Sequence, residues 1–299
     1  MKDPMVEENE SLPTEETTPQ EAAPEACASE GCSSCSSCSV EGCGERTAPA
    51  KLSTHPQAKV KHVIVVLSGK GGVGKSLVTT QLATMANKKG LKVGVLDADV
   101  TGPTMARAFG IDKHLRACED GIIPQETADG IKVVSTNMIL PDETTPVLWR
   151  GSIISNLIHQ FFTEVLWGEL DYLFIDMPPG TGDVALTVFQ TLPIDGIVIV
   201  TAPQDLVSMI VGKAINMAEM MEVPVLGIVE NMAYFKCPSC DEAHALFGQS
   251  DIKALASEYG IEHTASLPIN PNLAEFMDSG KANEMHIEEL QAFADELLK

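Results

Sequence analysis

The run HVIVVLS (62–68) passes directly into GKGGVGKS, Gly69 to Ser76, and then into a helical stretch that reaches Lys89 and closes on Gly90. Nothing else in the chain restricts its fold as strongly. A short run rich in Val and Ile reads as a buried strand. The glycines after it free the backbone to curl, so that its N–H groups converge at the start of a helix. The spacing is that of the phosphate loop G-x-x-x-x-G-K-[ST], in the strand–loop–helix setting the motif requires. Gly69, Gly71, Gly72, Val73 and Gly74 are the expected cradle. In such a loop Lys75 reaches the β and γ oxygens of a nucleotide, and Ser76 offers its hydroxyl to Mg2+. Lys70, one residue after the first glycine, is needed for neither task.

The same alternation of apolar runs and helical periods continues. KVGVLD (92–97), IKVVS (131–135), DYLFID (171–176), DGIVIVT (195–201) and PVLGIVEN (224–231) read as further strands. Between them lie helix-like stretches. In the clearest, Ile154, Leu157, Ile158, Phe161, Phe162, Val165 and Leu166 fall on one helical face. Strands apolar on both faces and separated by helices predict an α/β fold, a doubly wound, mostly parallel sheet covered on both sides. That domain is expected over 58–299.

Residues 1–57 have another character, rich in Glu, Ser, Thr, Pro and Ala and without Phe, Trp or Tyr. Such a segment buries too little apolar surface to order itself, and a disordered, acidic, Cys-rich tail is expected. The net charge of −22 and pI of about 4.6 argue against a nucleic-acid binder or a protein held to anionic membranes. No apolar run reaches the roughly 18 residues of a spanning helix. The opening MKDPMVEENE lacks the apolar core of a signal peptide, so a cytoplasmic chain is expected. There, eight cysteines point to metal or redox chemistry rather than to a disulfide frame.

Cys237 and Cys240, in KCPSC (236–240), have the spacing of two ligands to a soft metal. Structural zinc and cubane iron–sulfur clusters take four, so the pair is half a site. A zinc half-site joined by His244 and a redox dithiol are the competing readings.

K-G-G-V-G-K-S is similar to the deviant phosphate loop of the ATPase family that includes MinD, ParA and the nitrogenase iron protein. The motifs DMPPGTGD, TAPQDL, GIVENMAYFKCPSC, HALFG and DSGK resemble, within it, the Mrp (ApbC-like) branch of ATP-dependent iron–sulfur cluster carriers. The resemblance runs from about Lys61 to Lys281. It implies that Lys70 reaches across a dimer interface to the partner's nucleotide, so that ATP joins two copies. It implies that Asp99 orients or deprotonates the attacking water, that Asp97 supports the Mg2+ shell, that Asp176 holds Mg2+ through water, and that Asn231 reads adenine. It also supplies the missing half of the thiol site. In a homodimer with Cys237 and Cys240 near the two-fold axis, four thiolates would hold a [4Fe–4S] cluster for delivery to apo iron–sulfur proteins. Departures lie at Thr101, where an aromatic residue is usual, and at Ser152, where proline often stands.

In the tail, Cys32, Cys35 and Cys38 have the C-x2-C-x2-C spacing of bacterial ferredoxins, and Cys43 or Cys27 could complete a second cluster; adventitious metal or an unstructured thiol tail is the alternative. Cys118 reads as structural, and Met209, Met217, Met220 and Met221 as core packing. Ile287, Leu290, Phe293 and Leu297 form the apolar stripe of an acidic helix expected to dock on its own domain. The rival function is a spatial-organising ATPase of the MinD or ParA kind, which leaves CPSC unexplained. An electron-transfer reductase like the nitrogenase iron protein ranks below it.

Overall fold

The structure, a computed structural model, describes residues 51–100, 102–112, 114–139, 151–203, 207–248 and 251–299, without the side chains of Val207 and Ser208. Cys27, Cys32, Cys35, Cys38, Cys43 and Thr101 lie outside the described residues. The elements run β1 Lys59–Ser68, α1 Lys75–Lys88, β2 Val93–Asp97, α2 Met105–Ala108, β3 Arg116–Cys118, β4 Gly121–Ile123, β5 Gln125–Glu126 and β6 Lys132–Ser135. A 3-10 turn, Thr136–Ile139, follows, then α3 Gly151–Thr163, β7 Glu169–Asp176, α4 Asp183–Thr191, β8 Gly196–Thr201 and α5 Val207–Met220. The chain closes with β9 Val225–Lys236, β10 Ala243–His244, α6 Ile252–Glu258, β11 Thr264–Pro268, α7 Pro271–Asp278, a 3-10 turn Ala282–Glu284 and α8 Glu288–Leu297.

Nine strands form one sheet in the order β10-β9-β8-β1-β7-β2-β6-β5, with β11 on the other side of β9. All pairings are parallel except those of β5 with β6 and β10 with β9. The doubly wound α/β sheet expected from the alternating runs is the observed fold.

Each central strand alternates between two cores, as the period of two requires. Val63, Val65 and Leu67 of β1 enter one core with Ile158, Phe161, Phe162 and Trp167. Ile64 and Val66 enter the other with Val78, Leu82, Leu290 and Phe293. The stripe predicted around Ile158 therefore packs on one face and α8 on the other, docked on its own domain as expected.

Two expectations are corrected. Met217 and Met221 pack against the core, but Met209 and Met220 are 50% and 78% exposed. Cys118 is exposed on the β3–β4 hairpin, because that hairpin stands apart from the main sheet. Residues 51–57, grouped with the tail on composition, touch the domain: Leu52 N donates to Thr191 O at 2.7 Å and Lys51 Nζ to Phe189 O at 2.5 Å.

Candidate functional site: a phosphate loop and a thiol hairpin on one sheet edge

Because the central strands are parallel, their C-terminal ends share one edge. There Ser135, Asp97, Asp176 and Val66 stand side by side across β6, β2, β7 and β1. This register places two buried carboxylates on adjacent strands, directly below the loop that leaves β1. Residues 69–74 form that loop. Gly72 and Gly74 have φ of 79° and 84°, a region open to glycine at little cost. A Cβ on Gly69 would lie 1.9 Å from Ile210 Cγ2, and one on Gly74 2.2 Å from Asn231 Nδ2. Val73 is buried in the core and anchors the loop from beneath, while Gly71 and Gly72 are exposed at its crest. The carbonyl of Lys70 accepts from Ser68 Oγ at 3.0 Å, and its side chain is half-buried.

Lys75 and Ser76 open α1. Lys75 Nζ lies 2.7 Å from Asp176 Oδ2 and 3.8 Å from Asp99 Oδ2. Ser76 Oγ donates to the same Asp176 oxygen at 2.6 Å, and Thr79 Oγ1 donates to Asp176 Oδ1 at 2.7 Å. A hydroxyl and a carboxylate held together at a helix N-terminus are the hard oxygen donors that Mg2+ takes, and the open backbone beside them suits phosphate. The residues present therefore fit a magnesium nucleotide.

Asp97 supports this arrangement from below. Its Oδ1 accepts from Asp99 N at 3.1 Å; its Oδ2 accepts from Thr104 N, Met105 N and Ser135 Oγ, each at 3.0 Å. Both oxygens serve protein donors, so Asp97 shapes the 97–105 loop. Burial, reinforced by neighbouring Asp176 and opposed by the Met105 N–H, Lys75 and Ser135, pushes its carboxyl up to about 7. The loop it holds carries Asp99, whose Oδ1 accepts from Gly102 N at 3.2 Å.

Asn231 sits on β9 beside the phosphate loop. Its Nδ2 donates to Val73 O at 3.0 Å and its Oδ1 accepts from Met232 N at 2.9 Å. The second contact steadies Met232 at φ 57°, which a β-unbranched side chain tolerates at some strain. Asn231 also lines a largely apolar cavity of about 280 Å3 with Leu77, Met232, Pro268, Ile269 and Leu273. Its walls from the 268–277 stretch were not anticipated. Their signal was the LPINPN run, in which Asn270 caps α7 and Pro271 opens it.

Past Asn231, β9 continues beyond the end of its pairing with β8, runs to Lys236 and turns at CPSC into β10. Cys237 N donates to Glu242 O and Asp241 N to Cys237 O, both at 2.9 Å, with Asp241 at φ 59°. The backbone N–H groups of Ser239 and then Cys240 point at the Cys237 sulfur and lower its thiol below the ordinary range. N–H donors on a sulfur favour the thiolate, the form that binds metal. Cys240 is exposed and no disulfide joins the pair. Among the described residues no group of three or more His, Cys, Asp or Glu is gathered for a metal. His244 Nε2 faces Glu242 Oε2 at 3.9 Å.

The family described as ParA, NUBPL iron-transfer P-loop NTPase matches residues 59–298. An iron-sulfur cluster carrier protein of Clostridium perfringens is 48% identical over 258 residues, covering 84% of this chain and 90% of its own. One of Methanocaldococcus jannaschii is 48% identical over 225 residues, covering 75% and 78%. Among solved structures, a nucleotide-binding protein of Archaeoglobus fulgidus in complex with ADP is 44% identical with a TM-score of 0.71, covering 78% of this chain and 92% of that one. The cell division ATPase MinD of Pyrococcus furiosus shares the fold at 19% identity and a TM-score of 0.56, covering 79% and 98%. On the match over 59–298 and the near-half identity to the carriers, this chain belongs to the NUBPL-type iron-transfer P-loop NTPase family, whose members include iron–sulfur cluster carrier proteins.

Proposed function

We propose that the chain is an ATP-hydrolysing homodimer that holds a [4Fe–4S] cluster as cargo between two CPSC pairs and hands it to apo-proteins. The observation that carries this reading is the hairpin at the end of β9. It presents two thiols, one biased toward thiolate, on a strand that already borders the nucleotide site. Two ligands per chain call for a partner, and a second copy supplies two more.

The surface supports a second copy on the same edge. Eight large apolar side chains are exposed among the described residues, and six cluster by topology at the C-terminal edge of the sheet. Ile139 follows β6; Ile153, Leu186 and Met209 sit in the first turns of α3, α4 and α5; Leu246 and Phe247 follow β10. In this reading those side chains lie on the edge that the second copy covers.

In this reading the loop N–H groups and Lys75 hold the phosphates, and Ser76 and Asp176 hold Mg2+, which neutralises phosphate charge when bound. The base lies in the cavity lined by Asn231 and Pro268. Asp99, on the loop braced by Asp97, orients the attacking water, and Lys70 acts on the partner's nucleotide. No helix among the described residues is long and apolar enough to cross a membrane.

The test is anaerobic reconstitution of the full chain, followed by iron and sulfide counts and incubation with an apo-acceptor. At least about four irons and four sulfides per dimer are expected, with transfer lost in Cys237→Ala. Zinc in place of iron, with no iron uptake on reconstitution, contradicts the reading.

A further inference from the structure

Thr79 and Thr80 follow one another on α1 and do different things. Thr80 Oγ1 donates back to Ser76 O at 2.7 Å, the ordinary choice of a threonine inside a helix. Thr79 has the same option, with Lys75 O 3.1 Å from its hydroxyl, yet lies closer to Asp176 Oδ1 at 2.7 Å. A hydroxyl carries one proton, and an ionised carboxylate is the stronger acceptor. Both Thr79 and Asp176 are fully buried, so no solvent competes for that bond.

The other oxygen of Asp176, Oδ2, takes Lys75 Nζ at 2.7 Å and Ser76 Oγ at 2.6 Å. Those two groups have a second duty in the proposed function, toward phosphate and Mg2+. Thr79 has none. The torsion that turns a carboxylate is broad and two-fold, so a fixed donor on one oxygen selects which edge faces the ion site. We propose that Thr79 is a positioning residue for Mg2+ binding, orienting the carboxylate of Asp176 so that Oδ2 stays directed at Ser76 when Lys75 and Ser76 are engaged elsewhere. The inference rests on the nucleotide-site reading and deepens it. Partners behind a metal ligand change metal affinity by roughly 10- to 100-fold.

Thr79→Val keeps the shape and removes the hydroxyl; Thr79→Ser restores it. Calorimetric ADP binding is measured in EDTA and across a Mg2+ titration, with a thermal melt of the nucleotide-free protein alongside. The expected result is a Mg2+ half-saturation raised by about tenfold or more in Thr79→Val. ADP affinity in EDTA stays near wild type, and Thr79→Ser returns the Mg2+ response. An unchanged Mg2+ half-saturation overturns the proposal. So does equal weakening with and without Mg2+, which marks a merely structural role. If Thr79→Val does not fold, Thr79→Ala against Thr79→Ser gives the same comparison, with the same results supporting or overturning the proposal. Wild-type ADP binding that ignores Mg2+ overturns the reading of the nucleotide site and this proposal with it.

Discussion

Asp176 gathers Lys75, Ser76 and Thr79 around one carboxylate, while Asp97 one strand away gathers four donors of its own. The two acids divide the work: one gathers the residues proposed to hold the magnesium nucleotide, the other braces the loop that carries Asp99. Lys75→Ala is expected to abolish tight ATP binding. Asp99→Ala is expected to keep binding and lose hydrolysis by about 10²- to 10⁴-fold, the range of a positioned acid–base group. Hydrolysis at the parental rate in Asp99→Ala contradicts that role. Asp97 makes a separate prediction about pH. Its folded value is raised from 3.8 to about 7, so the folded chain keeps a proton that the unfolded chain has released. The resulting stability is present below that window and is lost as pH rises through about 7. In urea melts of nucleotide-free protein, the stability of wild type relative to Asp97→Asn should fall from about pH 5 to about pH 8. A difference independent of pH contradicts this.

At the scale of elements, the central strands were legible because both faces are apolar. HVIVVLS, DYLFID and DGIVIVT lie within or across β1, β7 and β8 with ends differing by a few residues. PVLGIVEN captures only the first part of β9, since Met232 to Lys236 run past the end of the pairing with β8 and lose the double burial that marks a core strand. TASLP of β11 was missed: it alternates buried and half-buried residues at the sheet's edge and carries no apolar run. The methionines misled for a related reason, because helical spacing assigns a face without saying whether anything covers it. The phosphate loop, Asp176 and CPSC were legible as contiguous motifs. Thr79 and the wall around Pro268 belong to the site only through tertiary pairing, which leaves no local pattern. Gly227 shows such a constraint on β9. A Cβ there would lie 2.4 Å from Phe293 Cε2 and 2.7 Å from His263 O, so the glycine lets α8 close on the strand. Gly227→Ala should cost about 1–3 kcal/mol by overpacking, read as a lower denaturant midpoint with an unchanged slope. No loss of stability contradicts this packing.

At the scale of the whole molecule, the parallel sheet brings the phosphate loop and the thiol hairpin to one edge and gathers six exposed apolar side chains around them. A chain with a net charge of −22 repels its own copy, so association needs specific contacts, and the shared cluster is proposed as one of them. Mixed dimers of wild-type and Cys237→Ala, Cys240→Ala chains, reconstituted anaerobically, test this most directly. With the N-terminal 50 residues removed from both chains, only the hairpin cysteines and Cys118 remain. A shared site offers the mixed dimer two thiolates where a cubane takes four. The account predicts iron and sulfide near zero in mixed dimers, against about four of each in wild-type dimers. Mixed dimers that retain half of the wild-type iron would mean that each chain binds metal alone, and would contradict it.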